Sequence, residues 1–296
     1  MIKILKIYIK KLIPDFVLQN LSKNKLDQNS YNKFFTVKDA IAKKKLHLFL
    51  RKDSFMEKVI YKHGLYGDWE KESLKIWAEL SKKSQTIIDI GANTGIYSLL
   101  AQNNNSHAKV IAIEPVDLNY SILSKNIEKN KFPILSEKIA LSDQEGTAKM
   151  FMLKDRLNYM TSINDNRYDL HPEIKGNSEV VEIEVAMKPF SYVYKKHNLD
   201  KIDLIKIDVE GHEITVLNSM MTYLEKYKPS IIIEIIGDEN AEILNEMFGK
   251  LEYEFISIDE ENKSKKVNKL WDNEHHNFLI CGKETVSHLQ SIGLVE

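Results

Sequence analysis

Asp89, Gly91 and Gly95 stand in the spacing D-x-G-x-x-x-G within TIIDIGANTGIYSLLA, residues 86–101. The stretch reads as an apolar strand, a short polar turn holding Asn93, and an apolar helix. In an open parallel sheet, ligands bind beyond the carboxyl ends of the strands, where the strand order reverses. Glycines at that point let the backbone approach a ligand and leave the helix N-terminus open. A dinucleotide turn would read G-x-G-x-x-G, with a pyrophosphate on the helix dipole. Here the turn is G-A-N-T-G with a carboxylate just before it, which serves an anion poorly and a cation well. Glu114 closes the next strand candidate, 25 residues after Asp89, where a carboxylate can accept both hydroxyls of a ribose. S-adenosylmethionine carries a sulfonium, an ammonium and a ribose, and suits this pair of acids better than a nicotinamide dinucleotide does. The competing reading of Asp89 is a helix-capping acid in a tight turn. Further along, IDVEGHE gathers Asp208, Glu210, His212 and Glu213, side chains able to move protons.

These residues need elements to position them. From about residue 55 to 236 the chain alternates strand and helix signals. TIIDI, KVIAIE, SEKIALS, KIDLIKID and SIIIEII read as strands. GIYSLLAQ, DLNYSILSKNIEKN and EITVLNSMMTYLEKY read as helices, the last with Val216, Leu217, Met220 and Leu224 at helical spacing. Strands that are apolar nearly throughout imply burial on both faces, as in a parallel sheet covered by helices. YEFISIDE and HNFLICG lack a helix between them and suggest an antiparallel edge pair. The expected architecture is an α/β, doubly wound, mostly parallel sheet of seven strands with that C-terminal pair at its edge.

Two regions break the alternation. Residues 1–50 are expected to form a basic, helical N-terminal extension to a catalytic-size domain over 51–296. Its first 20 residues mix Ile and Leu with Lys3, Lys6, Lys10 and Lys11, which fits a helix packed on the main domain or one lying on an anionic membrane. An insertion at about 143–187 holds two strand candidates, GTAKMFML and EVVEIEVAM, around a long polar stretch. A flap facing the substrate is the favoured reading of it.

The composition excludes several classes. Hydrophobic residues make up 43% and charged residues 29%, so the chain can bury a core. The net charge of −1 gives no global basic field for nucleic acid, and no such partner is expected. Cys281 is the only cysteine, which rules out a disulfide framework and fits a reducing compartment. No apolar run approaches the roughly 20 residues of a membrane span, and lysines interrupt the N-terminal stretch where a signal peptide needs an unbroken one. A cytoplasmic protein is expected, at most peripheral to a membrane.

IIDIGANTGIYSLLA, KVIAIEP, IDLIKIDVEGHEITVL and IIIEI, in this order, resemble the FkbM family of S-adenosylmethionine-dependent methyltransferases over about residues 64–236. The resemblance implies a Rossmann-like class I methyltransferase fold and O-methylation, often of sugar hydroxyls in glycans or natural products. It implies that Asp89, Gly91, Asn93, Gly95 and Glu114 hold the cofactor, with Ser142 and Asp208 added at the ends of their strands. It also places Asp208, Glu210, Gly211 and Glu213 in the motif of the fourth strand. KPFSYVYKKHNLD before that strand departs from the family pattern, and the first 50 residues have no counterpart in it.

Methyl transfer to a hydroxyl requires the acceptor close to the methyl carbon and in line with it. A sugar hydroxyl also needs a base or a metal. His212 is the leading base, with Asp208, Glu210 and Glu213 as the other catalytic candidates. Asp208 and Glu234 close neighbouring strands, where they can hold Mg²⁺ or stand as structural acids bonded to amides or a lysine. Two other classes remain open: a scaffold that binds the cofactor without catalysis, and a nicotinamide-dependent oxidoreductase.

Overall fold

The computed structural model describes residues 30–153, 179–273 and 276–296. It opens with a hairpin of β1 (Lys33–Asp39) and β2 (Lys44–Leu50), paired Lys33↔Leu50 through Asp39↔Lys44. Leu46, Leu48 and Leu50 turn inward from β2 and are buried. Asp39 organises the turn: its carboxylate accepts from the Ile41 and Ala42 amides, the Tyr66 hydroxyl and the Asn103 and Asn104 side chains. The expected helical extension therefore does not hold for Lys33–Leu50, where alternation of inward apolar with outward polar residues produces a strand pair. The expectation for residues 1–29 lies outside the described residues.

Helices α1 (Met56–His63) and α2 (Lys71–Ser81) lead into β3 (Thr86–Ile90), α3 (Ile96–Asn104), β4 (Lys109–Ile113), α4 (Asp117–Asn130) and β5 (Leu135–Glu137). SEKIALS is two strands rather than one. Glu137 closes β5, held by Lys196 and His197 at 2.8 and 2.7 Å, and the chain then leaves the main sheet as β6 (Ala140–Ser142). Strands β7 (Gly146–Leu153) and β8 (Val180–Pro189) join β6 in a separate sheet of order β6-β8-β7. Val181, Ile183 and Val185 alternate there with exposed Glu182 and Glu184, as the sequence pattern requires. The strands of the insertion thus carry a small core of their own, with Val116, Met150 and Met152. The polar stretch at 154–178 lies outside the described residues.

After α5 (Phe190–Lys196) come β9 (Leu204–Ile207), α6 (Glu213–Tyr227), β10 (Ser230–Glu234), α7 (Asp238–Gly249), β11 (Glu254–Ser257), β12 (Lys265–Val267), β13 (Asn277–Cys281) and α8 (Lys283–Ser291). The main sheet has the order β12-β11-β13-β10-β9-β3-β4-β5. Strands β5, β4, β3, β9 and β10 are parallel, while β13 pairs antiparallel with both β10 and β11. This is the expected doubly wound sheet with its antiparallel pair, extended by β12. One face packs Trp77, Leu99 and Leu100 from α2 and α3, and the other packs Val216, Leu217, Met220 and Leu224 from α6. The chain works outward from β3 to β5 and then returns to place β9 on the other side of β3. The order reverses between β3 and β9, and in open sheets of this kind ligands bind outside the carboxyl ends at such a switch point. Among the described residues no helix is long and apolar enough to cross a membrane.

Candidate active site

The turn after β3 is bound tightly to its neighbours. The amides of Gly91 and Ala92 both donate to the Ile113 carbonyl at 2.9 Å. Gly91 has φ +80°, and a Cβ there would lie 1.8 Å from the Asp208 carbonyl oxygen. Gly95 has φ +91°, and its Cβ would lie 2.4 Å from Leu123 Cδ1. Gly91 is therefore required by the close packing of β9 on β3, where the atom met is backbone, while at Gly95 the atom met is the end of a leucine side chain and the positive φ is the firmer constraint. That differs from the expected purpose of leaving room for a ligand.

Asp89 and Glu114 have different partners. Asp89 is 1% exposed, and its Oδ2 accepts from the Ser98 amide (3.0 Å) and hydroxyl (2.6 Å), fastening the first turn of α3. Burial pushes its carboxyl up to about 6, against the Ser98 hydrogen bonds and the Lys206 charge. Glu114 follows β4 and is 4% exposed. Its Oε2 accepts from the Asn93 amide (2.8 Å) and its Oε1 from the Val116 amide (2.9 Å) and the Asn119 side chain (3.5 Å). Burial pushes Glu114 up to about 7, against those donors. Asn93, at φ 51°, thus joins the turn of β3 to the acid of β4. A carboxylate oxygen has room for two donors, and Oε2 receives one, so Glu114 retains capacity for a ribose hydroxyl.

The side chains of Asp89, Lys206, Asp208 and Glu234 share one face of the sheet, since Lys206 is the register partner of both Asp89 and Ile232. Lys206 interrupts an apolar strand and is 1% exposed. Its Nζ lies 3.1 Å from Asp208 Oδ2 and 5.1 Å from the centre of the Tyr97 ring. Burial works against the ammonium, but Asp208 and Glu70 outweigh it and hold Lys206 above its ordinary value. The Tyr97 hydroxyl donates to Glu70, whose carboxyl burial raises to about 7. Glu234 is pushed well up by burial and then by Asp208. Glu260, from the loop after β11, accepts from the Glu72 and Ser73 amides and caps α2 over this face. Among the described residues no group of three or more His, Cys, Asp or Glu side chains is arranged to hold a metal ion. An ammonium against Asp208 is also a poor neighbour for a dication, so this donor set does not fit a resident Mg²⁺.

IDVEGHE forms the loop from β9 to α6. Glu210 and Gly211 both have positive φ, 55° and 99°, and the space beside Gly211 is open. Glu213 turns back to accept from the Val209 and Gly211 amides at 3.2 and 3.0 Å, and burial raises its carboxyl to about 7. It braces the loop that carries His212. His212 stands at the start of α6, with Nε2 3.2 Å from Ser142 Oγ, and since that hydroxyl donates its one proton to Asp143 Oδ1 at 3.3 Å, it accepts from Nε2. Burial lowers the imidazole, with Asp143 opposing it. The cofactor candidates Asp89, Gly91, Asn93, Glu114 and Asp208 therefore gather around the ends of β3, β4 and β9, while Ser142 pairs with His212 at the end of β6. Lys206, Glu70, Tyr97 and Glu260 escaped the sequence reading, and so did Glu57 of α1, which accepts from Thr94 Oγ1 in the glycine turn. Only Lys206 left a local signal, a lysine inside LIKI.

The methyltransferase FkbM domain model matches residues 89–260, more than half of the chain. The chain belongs to the FkbM methyltransferase family. Its family relatives include methyltransferase sdnD of Sordaria araneosa, 29% identical over 154 residues that span 45% of this chain and 60% of that protein. The hexuronic acid methyltransferase AglP of Haloferax volcanii is 23% identical, over 56% of this chain and 62% of AglP. The chain spans about three fifths of the length of the curated relatives it matches. Among solved structures, the FkbM methyltransferase of Methylobacillus flagellatus aligns at a TM-score of 0.42 and 14% identity, over 67% of this chain and 43% of that one.

Proposed function

We propose that this chain is an S-adenosylmethionine-dependent O-methyltransferase whose acceptor is a hydroxyl of a saccharide. The observation that carries the reading is Glu114, a buried carboxylate tied to the β3 turn at the switch point of the sheet. Its remaining acceptor capacity suits the ribose hydroxyls, and the excess of carboxylates over Lys206 around Asp208 suits a cationic ligand. The cofactor supplies an electrophilic methyl group on a sulfonium. Family membership, and a relative named as a hexuronic acid methyltransferase, support methyl transfer to a sugar.

Within that reading, Glu114 and the Gly91–Gly95 turn orient the cofactor. His212 accepts the acceptor's hydroxyl proton as the oxygen attacks the methyl carbon. Burial keeps the imidazole neutral, the form able to take a proton, and Ser142 fixes the ring through Nε2. General-base catalysis of this kind contributes roughly 10²- to 10⁴-fold in rate. Glu213, occupied by two amides, supports the loop instead, and Asp208 is engaged by Lys206. The test is His212→Ala, assayed with S-adenosylmethionine on a panel of saccharides including hexuronic acids. The expected result is a kcat lowered by about that factor, with calorimetric cofactor affinity retained. A variant with full kcat would remove His212 from the mechanism, and a wild-type chain that binds NAD in place of S-adenosylmethionine would remove the proposed function.

A further inference from the structure

The net charge of −1 conceals a strong polarity along the chain. Residues 1–63 hold fifteen Lys and Arg against five Asp and Glu, a net of +10; the remainder holds 27 against 38, a net of −11. In the described part of that basic segment the acids are withdrawn from the surface. Asp39 and Glu57 are buried, and Asp53 is paired with Arg51.

Two lysines of this segment, Lys38 and Lys45, stand on the outward face of the hairpin. Its outward residues fall into three cross-strand rows: Phe34 opposite Phe49, Thr36 opposite His47, and Lys38 opposite Lys45. Like charges directly opposite on a strand pair are destabilising. Lys38 and Lys45 thus cost stability in the isolated chain, a cost that an anionic surface would reverse. At the other end of the face, Lys129 and Lys125 of α4 extend over the Phe34 and Phe49 rings at 5.3 and 5.0 Å. Phe34 is 37% exposed. The free edge of β2 is closed by α4, where Asn130 and Asn126 accept from the His47 and Phe49 amides, so the face is not completing a larger sheet.

We infer that this outer hairpin face, with the lysines of α4, is a docking surface for an anionic phospholipid bilayer. A planar array of lysines beside partly exposed aromatic rings matches the headgroup region, where each basic side chain near the surface adds to binding. The geometry disfavours single-stranded nucleic acid. Base stacking needs open ring faces, whereas each ring here has an ammonium over a face and the two rings meet edge-on at 69°.

The full chain should be sedimented with vesicles of phosphatidylcholine alone and of phosphatidylcholine mixed with phosphatidylglycerol. Binding to the mixed vesicles only, weakened by salt, is expected. Lys38→Gln with Lys45→Gln should lower the partition coefficient roughly 25-fold. The same double variant should unfold no earlier than wild type, because a repulsive pair has been removed. A second variant, with Lys3, Lys6, Lys10 and Lys11 all changed to Gln, should still lose affinity when Lys38 and Lys45 are replaced. The inference is overturned if the wild type fails to sediment, if it binds neutral vesicles equally, or if the double variant binds as wild type does. It is overturned equally if an oligonucleotide displaces the vesicles. None of these readouts requires methyl transfer, so they stand apart from the test of His212.

Discussion

At the scale of single residues, the site is a set of buried carboxylates with few compensating charges. Glu114 illustrates what that implies. Its carboxyl is raised to about 7 in the folded chain from an ordinary 4.5. The folded state therefore holds its proton more tightly than the unfolded state does. Its favourable contribution is fully present below about pH 4.5 and is lost as pH rises toward 7. The swing is about 3 kcal/mol if the whole shift is expressed. Asp89, raised to about 6, acts in the same direction. Urea unfolding between pH 4.5 and 8 should show stability falling with pH, and Glu114→Gln should flatten that slope. An unchanged slope would mean that Glu114 titrates normally. Calorimetry on the same variant should show S-adenosylmethionine binding at least about tenfold weaker, since hydrogen bonds to a charged group contribute about 1.5–3 kcal/mol. Lys206 is the converse case. Lys206→Met would leave Asp208 without its ammonium, but the Asp208 side chain is 32% exposed and partly solvated, so the cost should fall below the roughly 3–5 kcal/mol of breaking a fully buried pair from one side. A urea midpoint close to that of wild type would show that the neighbouring carboxyls simply take up protons.

At the scale of elements, two glycines separate backbone conformation from space. Both Gly91 and Gly211 have positive φ, but a Cβ on Gly91 meets the Asp208 backbone and one on Gly211 meets nothing. Gly211→Ala should therefore cost only the conformational term, about 1–2 kcal/mol. Gly91→Ala adds a clash that moves β9 away from β3, a further 1–3 kcal/mol or so. Equal destabilisation in the two variants, measured by urea unfolding, would show that the turn yields without disturbing β9. The same contrast explains what was legible beforehand. TIIDI, KVIAI and SIIIE could be read because burial on both faces leaves an uninterrupted apolar run. The division of SEKIALS between two sheets could not be read, because the contacts holding Glu137 come from Lys196 and His197, some 60 residues away. The hairpin was hidden by the run Lys43–Lys45 at its turn, which reads as a solvated loop and leaves only Leu46, Leu48 and Leu50 to show the alternation of a strand. At the site, the spacing of the glycines was legible, but what it accommodates was not. Their spacing shows that something comes close; that it is the Asp208 carbonyl and Leu123 emerges only from the packing of β9 and α4.

At the scale of the whole molecule, the reversal of strand order divides the sheet into two runs. On one side β3, β4 and β5 supply the glycine turn and Glu114; on the other β9 and β10 supply Asp208 and Glu234. The loop that carries His212 sits where the two runs meet. A ligand held at the ends of both β4 and β9 binds the folded sheet and not the unfolded chain, so occupancy must raise the unfolding temperature. At a hundredfold excess over Kd the gain is about 2.7 kcal/mol. For a chain of this size that corresponds to roughly 4–5 °C. S-adenosylmethionine should produce this shift in the wild type and NAD should not. The variants should then divide by position. On the proposed reading, His212→Ala should keep the shift while losing turnover, and Glu114→Ala should lose most of the shift, as a carboxylate proposed to accept from the ribose would. If His212→Ala abolishes the thermal shift along with turnover, the imidazole belongs to cofactor binding, and Glu210 of the same loop becomes the next base to replace, since Glu213 there is already engaged with the Val209 and Gly211 amides.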